Sequence, residues 1–387
     1  MSNILDYIKW RGDLSFQNSS LNEIDNLILA RLSYFYFDGI FTFYEETISL
    51  KEAYERFKKG SIEEKRILQK EDLDLFPAMA NSKRFSEIKL TRFINKVDEE
   101  QEKQFSAITL ILPDNTIFVS YRGTDNTIIG WREDLNMSFK KNVPAQLEGV
   151  KYLEEIGNAY PNKIRISGHS KGGNVAIYSA AFASKKIKER IIEVYNNDGP
   201  GVDDEVAITA EYKDIIPKTH TYVPQTSIIG RLLSHEEKYT VIESTQKGIM
   251  QHDLYTWQLI GKEFIHLDEV DSGSVIIDKT IKKWLKEVSP EQRGEVINTL
   301  FDVLGQTEAT TLSEIKLNWF KNAKILYKSY QNVSPENKEI VSKMIDALFK
   351  IMKNNIFESI PRKRIIPERF KRKGNFKSLD TSSKINL

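Results

Sequence analysis

With 387 residues, 40% of them hydrophobic and 29% charged, the chain has ample length for a large buried core, and its formal charge is only +1. It contains no cysteine, which excludes disulfides and thiolate metal sites and fits a reducing compartment. No apolar run reaches the ~18 residues of a membrane span. The first thirteen residues lack a basic stretch followed by an apolar one, so no signal peptide is expected and a soluble cytoplasmic protein is the default.

Residues 1–100 read as mainly helical. Ser20-Leu21-Asn22-Glu23 has the spacing of a capping box, and Ile24, Leu27, Ile28, Arg31, Leu32 and Phe35 follow at a three- to four-residue period. The aromatic-rich run from Tyr34 to Tyr44 reads as a core-packing surface, and further amphipathic pieces lie at 50–58 and 62–70. Phe105–Leu112 and Thr116–Tyr121 run apolar on either side of the turn Pro113-Asp114-Asn115, the pattern of a hairpin. Arg122-Gly123-Thr124-Asp125 ends the second strand, a polar stretch holds Trp131, and a helix is expected from Ala145 to Ile156.

The segment from Ile164 to Ala181 organises the rest. Ile164 and Ile166 begin a short buried strand, Gly168-His169-Ser170-Lys171-Gly172 turns, and Val175, Ala176, Ile177, Ala180 and Ala181 continue at helical spacing. Strand, tight G-x-S-x-G turn and helix together are the nucleophile elbow of α/β-hydrolases. Side chains at 168 or 172 would collide with the neighbouring strand or helix. The helix N-terminus behind Ser170 offers unpaired N–H groups where an oxyanion would form.

Strands are expected at 190–196, 220–223 and 239–243, and strands alternating with helices argue for a mostly parallel sheet flanked by helices. Helical periods return at 275–288, 290–304, 312–327 and 334–352. The expected organisation is a helical N-terminal part at 1–100, an α/β-hydrolase core at 101–268, a C-terminal helical region at 269–360 and a basic, flexible tail at 361–387. Pro361–Lys377 carries eight Lys/Arg against one acid, Glu368. A solvated terminus is the plain reading of that tail, and a weak contact with an anionic membrane the alternative; no nucleic-acid partner is expected.

A serine hydroxyl needs a base, usually a histidine held by a carboxylate. The chain has five histidines. His169 abuts Ser170 and is expected to point away from the base position, as a structural residue. In this fold the order is serine, acid, histidine. His252, in a loop beyond the later strands, is therefore placed best, ahead of His235, His266 and the strand residue His220. For the acid, Asp198 follows a strand directly in the loop Asn197-Asp198-Gly199-Pro200-Gly201, with Asp203, Asp204 and Asp253 as alternatives.

Two nested resemblances emerge. In Val119-Ser120-Tyr121-Arg122-Gly123-Thr124, in Trp131 with Asp134 and in the elbow Gly168–Gly173, the chain resembles class 3 (fungal-type) lipases. It also resembles the bacterial Mbeg1-like family almost end to end. The shared motifs include Asp6-Tyr7-Ile8, Asn22-Glu23-Ile24-Asp25, Gly130-Trp131-Arg132-Glu133-Asp134, Asn197–Gly201, Val223-Pro224 with Ser227, and Gln251-His252-Asp253 with Trp257. The lipase resemblance implies Ser170 as nucleophile, Thr124 and the backbone N–H of Lys171 as oxyanion donors, and a small lid at 126–135. Two departures stand out. The loop at Val223-Pro224, where lipases carry the acid, has Thr221 and Gln225. Lys171 replaces the usual apolar residue, which implies a more polar rim and an anionic or polar acyl group, unless it is a plain exposed lysine.

The expectation is a serine ester hydrolase acting through an acyl-enzyme on Ser170, with His252 and Asp198, on a small-molecule or lipid ester, needing no metal or organic cofactor. The rival is a hydrolase-fold binding or regulatory protein with little or no turnover.

Overall fold

The computed structural model describes residues 2–59, 68–125, 127–271, 288–306 and 364–365. Its first helices, α1 (Ile4–Arg11) and α2 (Glu23–Leu32), both open with asparagine caps. Asn3 and Asn22 accept from backbone amides ahead of them, and Asp6 and Asp25 return bonds to the cap N–H groups. The capping box at the second helix thus begins at Asn22, two residues beyond the expected Ser20. Helix α2 is buried from Ile24 to Leu32, polar residues included. Each fully buried Leu or Ile contributes roughly 1.5–3 kcal/mol relative to exposure, and the polar members are all partnered.

After β1 (Ile48–Ser49), α3 (Leu50–Lys59) and α4 (Asp72–Asn81), the chain enters a ten-stranded sheet. Strands β2 (Lys89–Asp98), β3 (Lys103–Ile111) and β4 (Ile117–Tyr121) pair antiparallel. Helices α5 (Ile128–Asn136) and α6 (Pro144–Ala159) precede β5 (Ile164–His169), α7 (Lys171–Phe182) and β6 (Ile191–Asn197). Then come β7 (Thr219–Pro224), β8 (Tyr239–Ile242), β9 (His266–Leu267), α8 (Pro290–Gly305) and β10 (Arg364–Ile365). Strands β4 to β8 run parallel, and antiparallel strands flank them on both sides. One apolar cluster joins α1, α2 and α4 to one face of the sheet, and a second joins α6 and α7 to the other. This is an α/β-hydrolase-like fold.

Two expectations change. Residues 1–100 are not only helical, because β1 and β2 add edge strands to the same sheet. A register shift between Thr91 and Ile94 interrupts the period-two pattern of β2, which hides it from an alternation test. In the basic tail, Arg364 and Ile365 pair with β9. The expected helices at 312–327 and 334–352, the rest of the tail and most of 275–288 lie outside the described residues, as does most of 62–70. No helix among the described residues is long and apolar enough to cross a membrane.

Candidate active site

The parallel run brings three strand ends to one edge of the sheet. Ser170 follows the last residue of β5, Asp198 the last of β6, and Thr124 lies three residues beyond β4. Ser170 holds φ at 59° and ψ at −135°, a backbone region costly for a side-chain-bearing residue. A Cβ on Gly168 would fall on the backbone of Gly172, and one on Gly172 on the carbonyl of Tyr121. The sharp turn therefore needs glycine at both places.

Asp198 also has positive φ, 52°, and is buried. Its Oδ2 lies 2.7 Å from Nδ1 of His252, and the Ser227 hydroxyl donates to Oδ1. A carboxylate only accepts, so Nδ1 carries the proton and Nε2 of His252 is left with the lone pair. His252 ends a short 3-10 turn, Gly248–His252, between β8 and β9, and its side chain is 23% exposed. The carboxylate thus comes from the strand next to the elbow strand, and not from the loop at Val223-Pro224. That loop nonetheless contributes Ser227, a residue whose part no spacing argument could have assigned.

The remaining candidates have other partners. His235 Nδ1 faces Glu237 at 2.8 Å, His266 Nε2 faces Glu23 at 3.3 Å, and His220 stacks on Tyr195. Asp203 caps a short helix through Glu205 N, Asp204 accepts from Ser234, and Asp253 caps the turn at Tyr255.

His169 departs from expectation. Its ring does not turn away but lies against His252, with ring centroids 4.5 Å apart. Its Nε2 is 2.8 Å from the carbonyl oxygen of His252, which can only accept, so Nε2 is protonated. Nδ1 then accepts from the Tyr34 hydroxyl at 2.9 Å. Burial, followed by the charges of His252 and Arg31, holds the His169 imidazole well below its ordinary pKa.

Thr124 donates its hydroxyl to Asp134 Oδ2 at 2.5 Å. Burial pushes Asp134 up to about 6, although the Lys171 ammonium and the Thr124 hydroxyl pull the other way. The amide of Lys171 belongs to the first turn of α7, whose N–H groups have no acceptor within the helix.

The Lys171 side chain corrects the polar-rim expectation. It is 2% exposed, and its ammonium is buried against Gln104 and Glu133. A cation so enclosed contributes no free charge to a substrate rim. The segment expected as a lid contains α5, on which Trp131 is 41% exposed.

Among the described residues no group of three or more His, Asp or Glu is placed to hold a metal ion.

Among solved structures, the chain is similar to the lipase of Rhizomucor miehei in its propeptide complex, at 18% identity and a TM-score of 0.31. That match covers 41% of this chain and 58% of the lipase, so the chain spans less than two thirds of that relative. A fungal lipase–inhibitor complex matches at 16% identity and a TM-score of 0.33, covering 44% of this chain and 70% of the other. No curated protein matches the chain. The family model described as Mbeg1-like matches residues 79–302, well over half of the sequence, and the chain belongs to the Mbeg1-like family.

Proposed function

We propose that the chain is a serine ester hydrolase, related to the lipases its motifs resemble, that cleaves a small-molecule or lipid carboxylic ester through an acyl-enzyme. Ser170 Oγ attacks the ester carbonyl while His252 Nε2 takes its proton. The imidazolium then protonates the departing alcohol, and water, deprotonated by the same nitrogen, releases the acid and restores the serine. Asp198 orients the imidazole and offsets its charge. Thr124 and the Lys171 amide are the oxyanion donors, and removal of one such donor typically costs ~10²–10³ in turnover.

The observation that carries this reading is the 2.7 Å pairing of Asp198 with His252 at the strand edge that also carries the strained Ser170. It supports Asp198 as the acid although the loop at Val223-Pro224 lacks one, and so weighs against a catalytically silent shell. The test is fluorophosphonate labelling of the wild type, Ser170→Ala and His252→Ala, with an aryl-ester panel of rising acyl length. Labelling lost in both variants, with turnover in the wild type, supports the assignment. A folded wild type that takes no label and cleaves no ester overturns it and leaves a binding module.

A further inference from the structure

Lys171 stands directly after the serine, where the resemblance calls for an apolar residue, and its side chain is turned into the protein. All three ammonium protons are matched: Gln104 O at 2.9 Å, Gln104 Oε1 at 2.7 Å and Glu133 Oε2 at 2.8 Å. Glu133, on α5, is fully buried and equally committed. Its Oε2 also accepts from Gln104 N at 3.0 Å and its Oε1 from Ala145 N, at the start of α6, at 2.8 Å. One carboxylate thus ties α5 to β3, to α6 and to the elbow helix.

The outer side of α5 is held as well. Arg132 reaches Asn298 at 3.0 Å and Glu102 at 2.8 Å, and its guanidinium lies 5.7 Å from the ring centre of Phe301. Arg293 of α8 donates to the carbonyl of Ser138, just past α5. Next to Glu133, Asp134 takes the Thr124 hydroxyl. Swinging α5 outward would leave the buried Lys171 ammonium with Gln104 alone and no counter-charge, an expensive state, and would break the Glu133 bonds to Gln104 N and Ala145 N. It would also pull Asp134 from Thr124.

We propose that Lys171 and Glu133 form a clasp that fixes α5 beside the elbow, with Glu133 a positioning residue for Thr124, so that the site accepts dispersed, monomeric esters without an opening step at a lipid surface. This rests on the hydrolase reading for its substrate, but the clasp itself does not.

Amide hydrogen exchange of α5 is measured in the wild type, Glu133→Gln and Lys171→Met, together with kcat and KM on p-nitrophenyl butyrate and the rate on tributyrin across its solubility limit. The α5 amides are expected to exchange slowly in the wild type and roughly tenfold or more faster in Glu133→Gln. kcat should fall by up to ~10²-fold, the scale of a small misplacement near the chemistry, with KM within about twofold. The wild-type rate should show no jump at the solubility limit. Rapid α5 exchange in the wild type, exchange unaffected by Glu133→Gln, or a rate jump at the limit overturns the clasp. If Lys171→Met fails to fold, Glu133→Gln decides. Absence of both fluorophosphonate label and turnover sinks the hydrolase reading instead, and the exchange arm still decides the clasp.

Discussion

The imidazole of His169 donates to the carbonyl oxygen of His252 across 2.8 Å while the two rings pack at a 31° tilt with centroids 4.5 Å apart. The residue before the proposed nucleophile therefore holds the proposed base from below. Tyr34, just past α2, fixes the tautomer of His169 from its other nitrogen, and Arg31 lies 4.7 Å over the Tyr34 ring. The N-terminal helices are in this way coupled to the strand edge that carries Ser170.

This arrangement has a pH signature. His169 is held neutral by burial, well below its ordinary value, whereas in the unfolded chain it takes up a proton near pH ~6.5. Below that pH the unfolded state binds more protons, so this group's contribution is fully present above ~6.5 and is lost on acidification. His169→Gln should be less stable than the wild type at pH 7.5, and the gap should narrow toward pH 5. Melting temperatures of both proteins across that range check it; parallel curves would remove His169 from the linkage. Tyr34→Phe should lower kcat with little change in KM.

Asp198 and Ser227 make a separable prediction. Asp198→Asn keeps the shape but presents the wrong partner to Nδ1, and loss of the correct tautomer in such a triad costs about 10⁴ in kcat. Ser227→Ala removes a donor to the buried carboxylate, a hydrogen bond to a charged group worth roughly 1.5–3 kcal/mol, together with the acceptor of the Gly230 amide. The first variant should fold with near-normal stability and be almost inert. The second should lose stability by at least that amount and retain most turnover. Urea denaturation and steady-state kinetics on the two proteins separate the roles.

Much of this site was legible because the elbow is a local device. Glycines at 168 and 172, a strand before and a helix after are all contiguous, so Ser170 could be placed from spacing. Strand order made Asp198 and His252 the first choices among several carboxylates and histidines, and only the fold shows that these two side chains meet, at 2.7 Å. What stayed hidden depends on side-chain direction across large sequence gaps. Lys171 looks like a rim cation until Glu133 and Gln104 are found enclosing it, 38 and 67 residues away. His169 looks irrelevant until the loop of His252 returns over it. β2 was missed for a local reason, because its bulge breaks the alternation that would have marked it.

Asp134 offers the opposite pH sign from His169. Burial raises its carboxyl to about 6 from an ordinary value near 3.8, so the native state binds this proton more tightly than the unfolded chain. Its contribution is greatest below the unfolded value and declines as pH rises through the interval between the two. Asp134→Asn mimics the protonated form at every pH. The variant's stability relative to wild type should therefore improve between pH 4 and pH 7. Melting curves at pH 4, 5, 6 and 7 test this, and a constant difference would show that Asp134 titrates normally.

The buried pair Arg31–Asp72 tests whether the N-terminal part is a separate unit. Arg31 Nε and Nη2 meet the two Asp72 oxygens at 2.7 and 2.5 Å, and Tyr255, three residues past His252, donates to the same carboxylate at 2.8 Å. The pair thus joins α2, α4 and the segment that carries the proposed base. Arg31→Met leaves a buried carboxylate without its cation, which should cost about 3–5 kcal/mol, whereas Arg31→Met with Asp72→Leu should recover most of that loss. Because β1 and β2 belong to the same sheet as the core, urea unfolding of the single variant should remain one transition shifted to lower urea. An early separate transition, with ester turnover preserved between the two steps, would show that residues 1–100 fold independently of the site.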